Sequence, residues 1–355
     1  MKKFAGTVLL LFALTACSKS PQQAREELTK LGISYNEASC YQSALKGDSL
    51  AVDLFLTAGI ESGCVLAGAS GAGNMELVKK SFDKGAKPTT GMGVGALGEA
   101  VRGGHIEIVK TLLDKGADPN SPGIAGQDMF GNPVTAKVLT IASQKGYTEI
   151  VKLLLEKGAN PQDGENGNSR SLTKAVQGGH LEIVKALLEK GANPNDGENG
   201  NSESLLTAIQ RGHTEVAKVL LEKGANPNSK RAIFTALQLA SEQGNTEIVK
   251  LLLDKNVNPN DGINGESSKS LSEAIDKSNP EIVKMLLEKG ANPNDGRNGN
   301  SDSLLKAIDK GNTEIVKALL DKGANPNSSD FVYTALKRAS GKPEIEELLK
   351  QAGAK

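Results

Sequence analysis

His105, His180 and His213 are the only histidines of this 355-residue chain, and Cys17, Cys40 and Cys64 the only cysteines. Acid–base catalysis, metal ligation or thiol chemistry would have to start from these residues and the carboxylates around them. Each histidine stands two residues before a glutamate, as in His180-Leu181-Glu182, but no HExxH, Cys–His or Ser–His–Asp pattern arises. All three occupy the same slot in different copies of one segment, so groups supplied from them would be strung along the chain. Gly91-Met92-Gly93-Val94-Gly95 superficially resembles a phosphate-cradling loop, yet no strand precedes it, the spacing is wrong and no lysine closes it. We read it as a degenerate loop in a glycine-rich, locally loose stretch from 63 to 98. Four loops begin Asp-Gly, at Asp163, Asp196, Asp261 and Asp295. Their Asp and Asn oxygens could ligate calcium, but ligands do not alternate and no glutamate closes the loop, whereas Asn-Gly suits a turn with positive φ. No catalytic residue, metal site or cofactor is assigned, and the chain is expected not to be an enzyme.

The element that would position any functional side chain is the segment His180-Leu181-Glu182-Ile183-Val184 and onward to Asn193-Pro194-Asn195, close copies of which recur through most of the sequence. A polar residue (His180, Asn245, Asn279, Asn312) stands where a helix would be capped, and an acid such as Glu182 or Glu247 suits the positive end of the helix dipole. Further along stands Gly158, Gly191, Gly224 or Gly290, with Asn256 in the same slot, as a left-handed C-terminal cap requires. An apolar position upstream (Leu172, Leu205, Leu237, Leu271, Leu304) marks a shorter first helix. Each unit is therefore a short helix, a turn, a second short helix and an extended loop, at a period of about 33 residues. Helices of about ten residues are marginal alone in water, so each unit depends on its neighbours to cover its apolar faces.

These units resemble ankyrin repeats, carried most strongly by the half that reads GHxEIVKxLLxKGANPN. The resemblance implies an all-α solenoid of about nine to ten helix-turn-helix units with extended loops, covering 37–355 and ending in a capping repeat near 333–355. The family's Thr-Pro-Leu-His half is mostly lost: Thr235-Ala236-Leu237-Gln238 and Thr334-Ala335-Leu336-Lys337 come nearest, and Arg170-Ser171-Leu172-Thr173 keeps little beyond the leucine. The hydrogen bonds that those residues make between turns in the family are thus not assured here, although the stacking is. A longer period also shows: Ala-Ser follows the first helix near Ala142, Ala240 and Ala339, as though a block of three repeats had been duplicated.

At the start of the chain, Lys2 and Lys3 precede an apolar run from Phe4 to Leu14 that is too short to span a bilayer. Leu14-Thr15-Ala16-Cys17 is similar to the bacterial lipobox, which implies a signal peptide over 1–16 and acylation of Cys17. Acyl chains at about 0.8 kcal/mol per buried methylene would anchor the protein without a transmembrane helix. Ser18 stands where an aspartate would resemble an inner-membrane retention signal, so the expected location is the outer membrane, facing the periplasm. Residues 17–36 would form a tether and a capping helix. In that oxidising compartment Cys40 and Cys64 form an even pair after Cys17, consistent with a disulfide or with two buried thiols.

Lys and Arg total 42, Asp and Glu also 42, and aromatics make up 3% of residues. Neither the charge excess nor the stacking platform that nucleic acid requires is present, so no nucleic-acid partner is expected. What remains is recognition by a surface, which the ankyrin resemblance also implies. The insertion 121–134 carries Ile124, Met129 and Phe130 among Gly and Pro, and either projects as a finger or folds back on the stack. Ile233, Phe234, Phe331, Val332 and Tyr333 are the other candidates, since aromatics are scarce; packing between units is the alternative for Phe234 and Tyr333. The expected function is a monomeric, lipid-anchored module that binds an unidentified periplasmic protein, for example as an immunity or inhibitor protein. A structural envelope scaffold or an accessory factor in oxidative-stress defence are the alternatives.

Overall fold

The computed structural model describes residues 19–127, 133–165, 168–232, 234–262, 267–330 and 332–355. Cys17 and the segment 1–16, and also Met129, Phe130, Ile233 and Phe331, lie outside the described residues. The chain divides into two compact units, Met1–Asp163 and Gly164–Lys355. In the first, the order is α1 (Pro21–Lys30), α2 (Glu37–Lys46), α3 (Ser49–Thr57), α4 (Gly63–Ala72), α5 (Met75–Asp83), α6 (Ala96–Gly103), α7 (Ile106–Asp114), β1 (Pro122–Gln127), β2 (Pro133–Lys137), α8 (Val138–Lys145) and α9 (Thr148–Glu156). The second runs α10 (Arg170–Gln177), α11 (Leu181–Glu189), α12 (Glu203–Gln210), α13 (Thr214–Glu222), β3 (Lys230–Arg231), β4 (Phe234–Thr235), α14 (Ala236–Glu242), α15 (Thr246–Asp254), α16 (Lys269–Asp276), α17 (Pro280–Glu288), α18 (Asp302–Lys310), α19 (Thr313–Asp321), α20 (Ala335–Arg338) and α21 (Pro343–Gln351).

Among the described residues, the helices from α2 onward come in ten pairs, four in the first unit and six in the second. Within each unit the first helices of successive pairs pack on one another, α2–α4–α6–α8 and α10–α12–α14–α16–α18–α20. Second helices pack likewise in the row α11–α13–α15–α17–α19–α21. The apolar stripe of each helix explains this: Leu172, Ala175, Ile183, Val184 and Leu187 are all fully buried, and the equivalent residues of the next pair, Leu205, Ala208, Leu220 and Ala217, are buried as well. Gly191 has φ of 92° and Asn256 of 60°, so both occupy the left-handed C-terminal position that the spacing calls for.

Two expectations are corrected. At the second-helix caps, Asn245, Asn279 and Asn312 each accept the N3 amide at 3.1 Å, but His105, His180 and His213 make no such bond. Their rings instead lie over the glycine turns: a Cβ on Gly178 would fall 2.3 Å from His180 Nε2, and one on Gly179, at φ of 68°, would fall 2.9 Å from His213 Cε1. The glycine-rich stretch is not loose either. All of α4 from Gly63 to Ser70 is buried, and a Cβ on Gly68 would stand 2.3 Å from the Tyr41 carbonyl oxygen, because small residues let α2 and α4 close on each other. Cys40 and Cys64 are joined by a disulfide across that seam, with Cα atoms 5.9 Å apart.

Candidate functional site

The loops are held by two recurring polar devices. In the Asn-Pro-Asn loops, Asn195 Nδ2 donates to the Gly224 carbonyl at 3.1 Å while its Oδ1 accepts from Asn226 N at 2.7 Å in the next repeat. Asn120, Asn260 and Asn294 do the same towards Gly158, Gly290 and Gly323, which gives one such rung in the first unit and a ladder of asparagine side chains along the second. The second device belongs to the Asp-Gly loops. Asp196, 7% exposed, accepts from Ser204 N at 2.9 Å, Ser204 Oγ at 2.6 Å and Thr173 Oγ1 of the preceding repeat at 3.1 Å. Asp261 takes Ser270 and Thr235 in the same way, and Asp295 takes Ser303. Ser202 and Ser301 complete the pattern by capping α12 and α18. A Ser-x-Ser-Leu sequence and a loop aspartate thus do here what the lost Thr-Pro-Leu-His residues would otherwise have to do. These carboxylates spend their lone pairs on the scaffold, and burial pushes the Asp295 carboxyl above the usual carboxylate range. Among the described residues no three His, Cys, Asp or Glu side chains converge in a metal-binding group.

Three loops differ from the rest, and they precede α8, α14 and α20, at intervals of three repeats. Each is a finger. The strands β1 and β2 pair antiparallel with an irregularity between Ile124 and Gly126; β3 pairs with β4; and a single bridge joins Ser329 to Thr334. The fingers carry exposed apolar side chains: Ile124 (42%) and Val134 (44%), Phe234 (42%), Val332 (67%) and Tyr333 (46%). Of the described candidates, none folds back into the core.

Each finger is pinned at its base. A Cβ on Gly98 would lie 2.8 Å from the Gly123 Cα, so β1 rests directly on α6. Arg231 reaches from β3 onto α12, donating to Glu203 Oε2 through Nε at 2.9 Å and Nη2 at 2.5 Å, and to Gln210 Oε1 at 3.0 Å. Arg338 bonds Asp309 of α18 through one nitrogen and Asp330 of its own finger through the other. The backbone N–H groups of Tyr333 and Val332, followed by the Arg338 guanidinium, hold the Asp330 carboxyl below its ordinary range. Lys337 Nζ lies 5.3 Å from the Tyr333 ring centroid, and Asp309, Asp330, Val332, Tyr333, Lys337 and Arg338 line an open depression of about 400 Å³. The sequence reading missed Arg231 and Arg338, although an arginine beside each of two hairpin-like inserts was the available signal.

Helix pairs stacked within each unit, with loops held by polar side chains and three fingers that carry exposed apolar residues, define a repeat protein built to present a surface. The family model for ankyrin repeats matches three times, over residues 139–231, 205–297 and 271–355, and a single-repeat model matches residues 93–124. The chain belongs to the ankyrin-repeat family. Among solved structures it is similar to the ankyrin repeat domain of human ASB11, at 29% identity and a TM-score of 0.48, over 61% of this chain and 98% of that one. No curated protein matches it. Ankyrin repeats generally mediate protein–protein interaction and are typically non-enzymatic scaffolds.

Proposed function

We propose that the protein is a lipid-anchored module of the bacterial envelope that binds a periplasmic protein through its fingers. The observation that carries this reading is the contrast between loops. The loops before α8, α14 and α20 hold out exposed apolar side chains on a braced hairpin or bridge, while the described residues of the Asp-Gly loops between them expose no large apolar side chain. Aromatic and aliphatic side chains held rigidly above a polar surround are the usual energetic centres of an interface, and bracing lowers the entropy lost on binding. The resemblance of Leu14-Thr15-Ala16-Cys17 to a lipobox supports acylation of Cys17, and Ser18 in place of an aspartate supports the outer membrane as its destination. A toxin neutralised in the periplasm is one partner of this kind; scaffolding of envelope components and a part in oxidative-stress defence are the competing roles.

In vivo cross-linking followed by affinity capture tests the reading, comparing the wild type with Phe234→Ala/Tyr333→Ala. A single stoichiometric protein captured by the wild type and lost in the variant is the expected result. Recovery of the same abundant envelope proteins in both would favour the scaffold role. Fractionation of Cys17→Ser, expected in the soluble periplasm rather than the membrane, tests the anchor separately.

A further inference from the structure

At the seam between the first and second repeats, Cys40 and Ala44 on α2 meet Cys64 and Gly68 on α4, side chains small enough that the Gly68 backbone comes up against the Tyr41 carbonyl oxygen. Small side chains permit close approach but remove little apolar area from water, and so contribute little hydrophobic stabilisation. Between the second helices of these two repeats, an ion pair joins Asp53 of α3 to Lys80 of α5. The capping helix belongs with the first repeat. Arg25 Nη2 and the Tyr35 hydroxyl both donate to the Ala58 carbonyl at the end of α3, at 3.2 and 2.9 Å, and the Arg25 guanidinium lies 4.4 Å from the Tyr35 ring centroid.

We propose that the Cys40–Cys64 disulfide is a redox-sensitive latch that holds the first repeat and its cap on the stack. The two cysteines are 24 residues apart, and the loop they close contains the whole of α3. Undocking the first repeat in the oxidised chain must therefore carry that closed loop with it, which disfavours the open state by about two orders of magnitude relative to the reduced chain. Both sulfur-bearing residues are buried, Cys40 at 0% and Cys64 at 1% exposed, so a dithiol reaches them only when the seam opens. Its thiolate then attacks one sulfur, forming a mixed disulfide and releasing the other cysteine as a thiolate. The second thiol of the reagent displaces the remaining cysteine; the reagent is oxidised to its cyclic disulfide and the protein gains two thiols.

Hydrogen–deuterium exchange of the full chain tests this without any partner or lipid, so its outcome is separate from that of the binding proposal. Three samples are compared: oxidised protein, protein reduced with dithiothreitol, and Cys40→Ala/Cys64→Ala. Amides of α1, α2 and α3 are expected to exchange about a hundredfold faster in the latter two, with α10–α21 unchanged, and reoxidation should restore protection. Equal protection of α1–α3 in the oxidised and reduced proteins would overturn the latch. Should the double variant unfold as a whole, the reduced and reoxidised wild type still decide the matter.

Discussion

Replacing Asp196 measures how much the loop network stabilises the stack. Its carboxylate accepts three donors, the Ser204 amide, the Ser204 hydroxyl and the Thr173 hydroxyl, and Ser204 itself is fully buried. Asp196→Ala leaves the amide and the Ser204 hydroxyl without an acceptor. Thr173 is less affected, because its single hydroxyl hydrogen has an alternative acceptor in the Ser169 carbonyl at 3.0 Å. At about 1–3 kcal/mol for each buried polar group left unsatisfied, the expected loss is about 3 kcal/mol. In a cooperative unit of the size of Gly164–Lys355 that corresponds to a fall in Tm of about 10 °C, followed by circular dichroism at the helix band. Asp196→Asn keeps one acceptor oxygen for the amide and should fall by only about 3 °C. The order of the two variants is the discriminating result. If Asp196→Ala melted within about 1 °C of the wild type, or Asp196→Asn were as damaging as Asp196→Ala, the carboxylate would not be bridging the repeats as argued.

Other consequences can be checked with the same protein. Burial raises the Asp295 carboxyl, so the folded chain holds that proton to higher pH than the unfolded chain does; the Asp295 contribution to stability should fall as pH rises from the ordinary carboxylate value through the raised one, and Tm-against-pH curves for Asp295→Asn should lack that decline. Asn195→Ala breaks the rung to Gly224 and Asn226, and chemical denaturation should register a loss of about 1–2 kcal/mol. Gly179→Ala imposes a side chain at φ of 68° and against the His213 ring, so it should destabilise by more than about 1 kcal/mol, with His213→Ala relieving the steric part but not the backbone part in a double-mutant cycle.

Much of the fold was legible because its signals are local. Gly191 and its equivalents at the second-helix ends, the leucines such as Leu205 eight residues before each cap slot, and the asparagines Asn245 and Asn279 specify helix ends and faces from within one repeat. The loss of Thr-Pro-Leu-His left the loops without an evident fastening. The replacement was visible only as residue types, since Ser204, Asp196 and Thr173 lie in two different repeats and their meeting depends on how those repeats stack. For the same reason the histidines were placed correctly in sequence at the cap but wrongly in role. Whether an imidazole turns towards its own helix or onto a glycine turn depends on the space that neighbouring turn leaves.

The sequence by itself determined the repeat, its period, its helix boundaries and the absence of a recognisable catalytic motif, because each rests on backbone preferences and apolar spacing that act over a few residues. Only the tertiary structure decided that the glycine-rich segment is tightly packed, that Cys40 meets Cys64, that the loop aspartates fasten one repeat to the next, and that Arg231 and Arg338 brace the fingers holding Phe234 and Tyr333 in solvent. Those outcomes depend on which side chains from separate repeats arrive at the same few ångströms of space, and stacking alone brings them there.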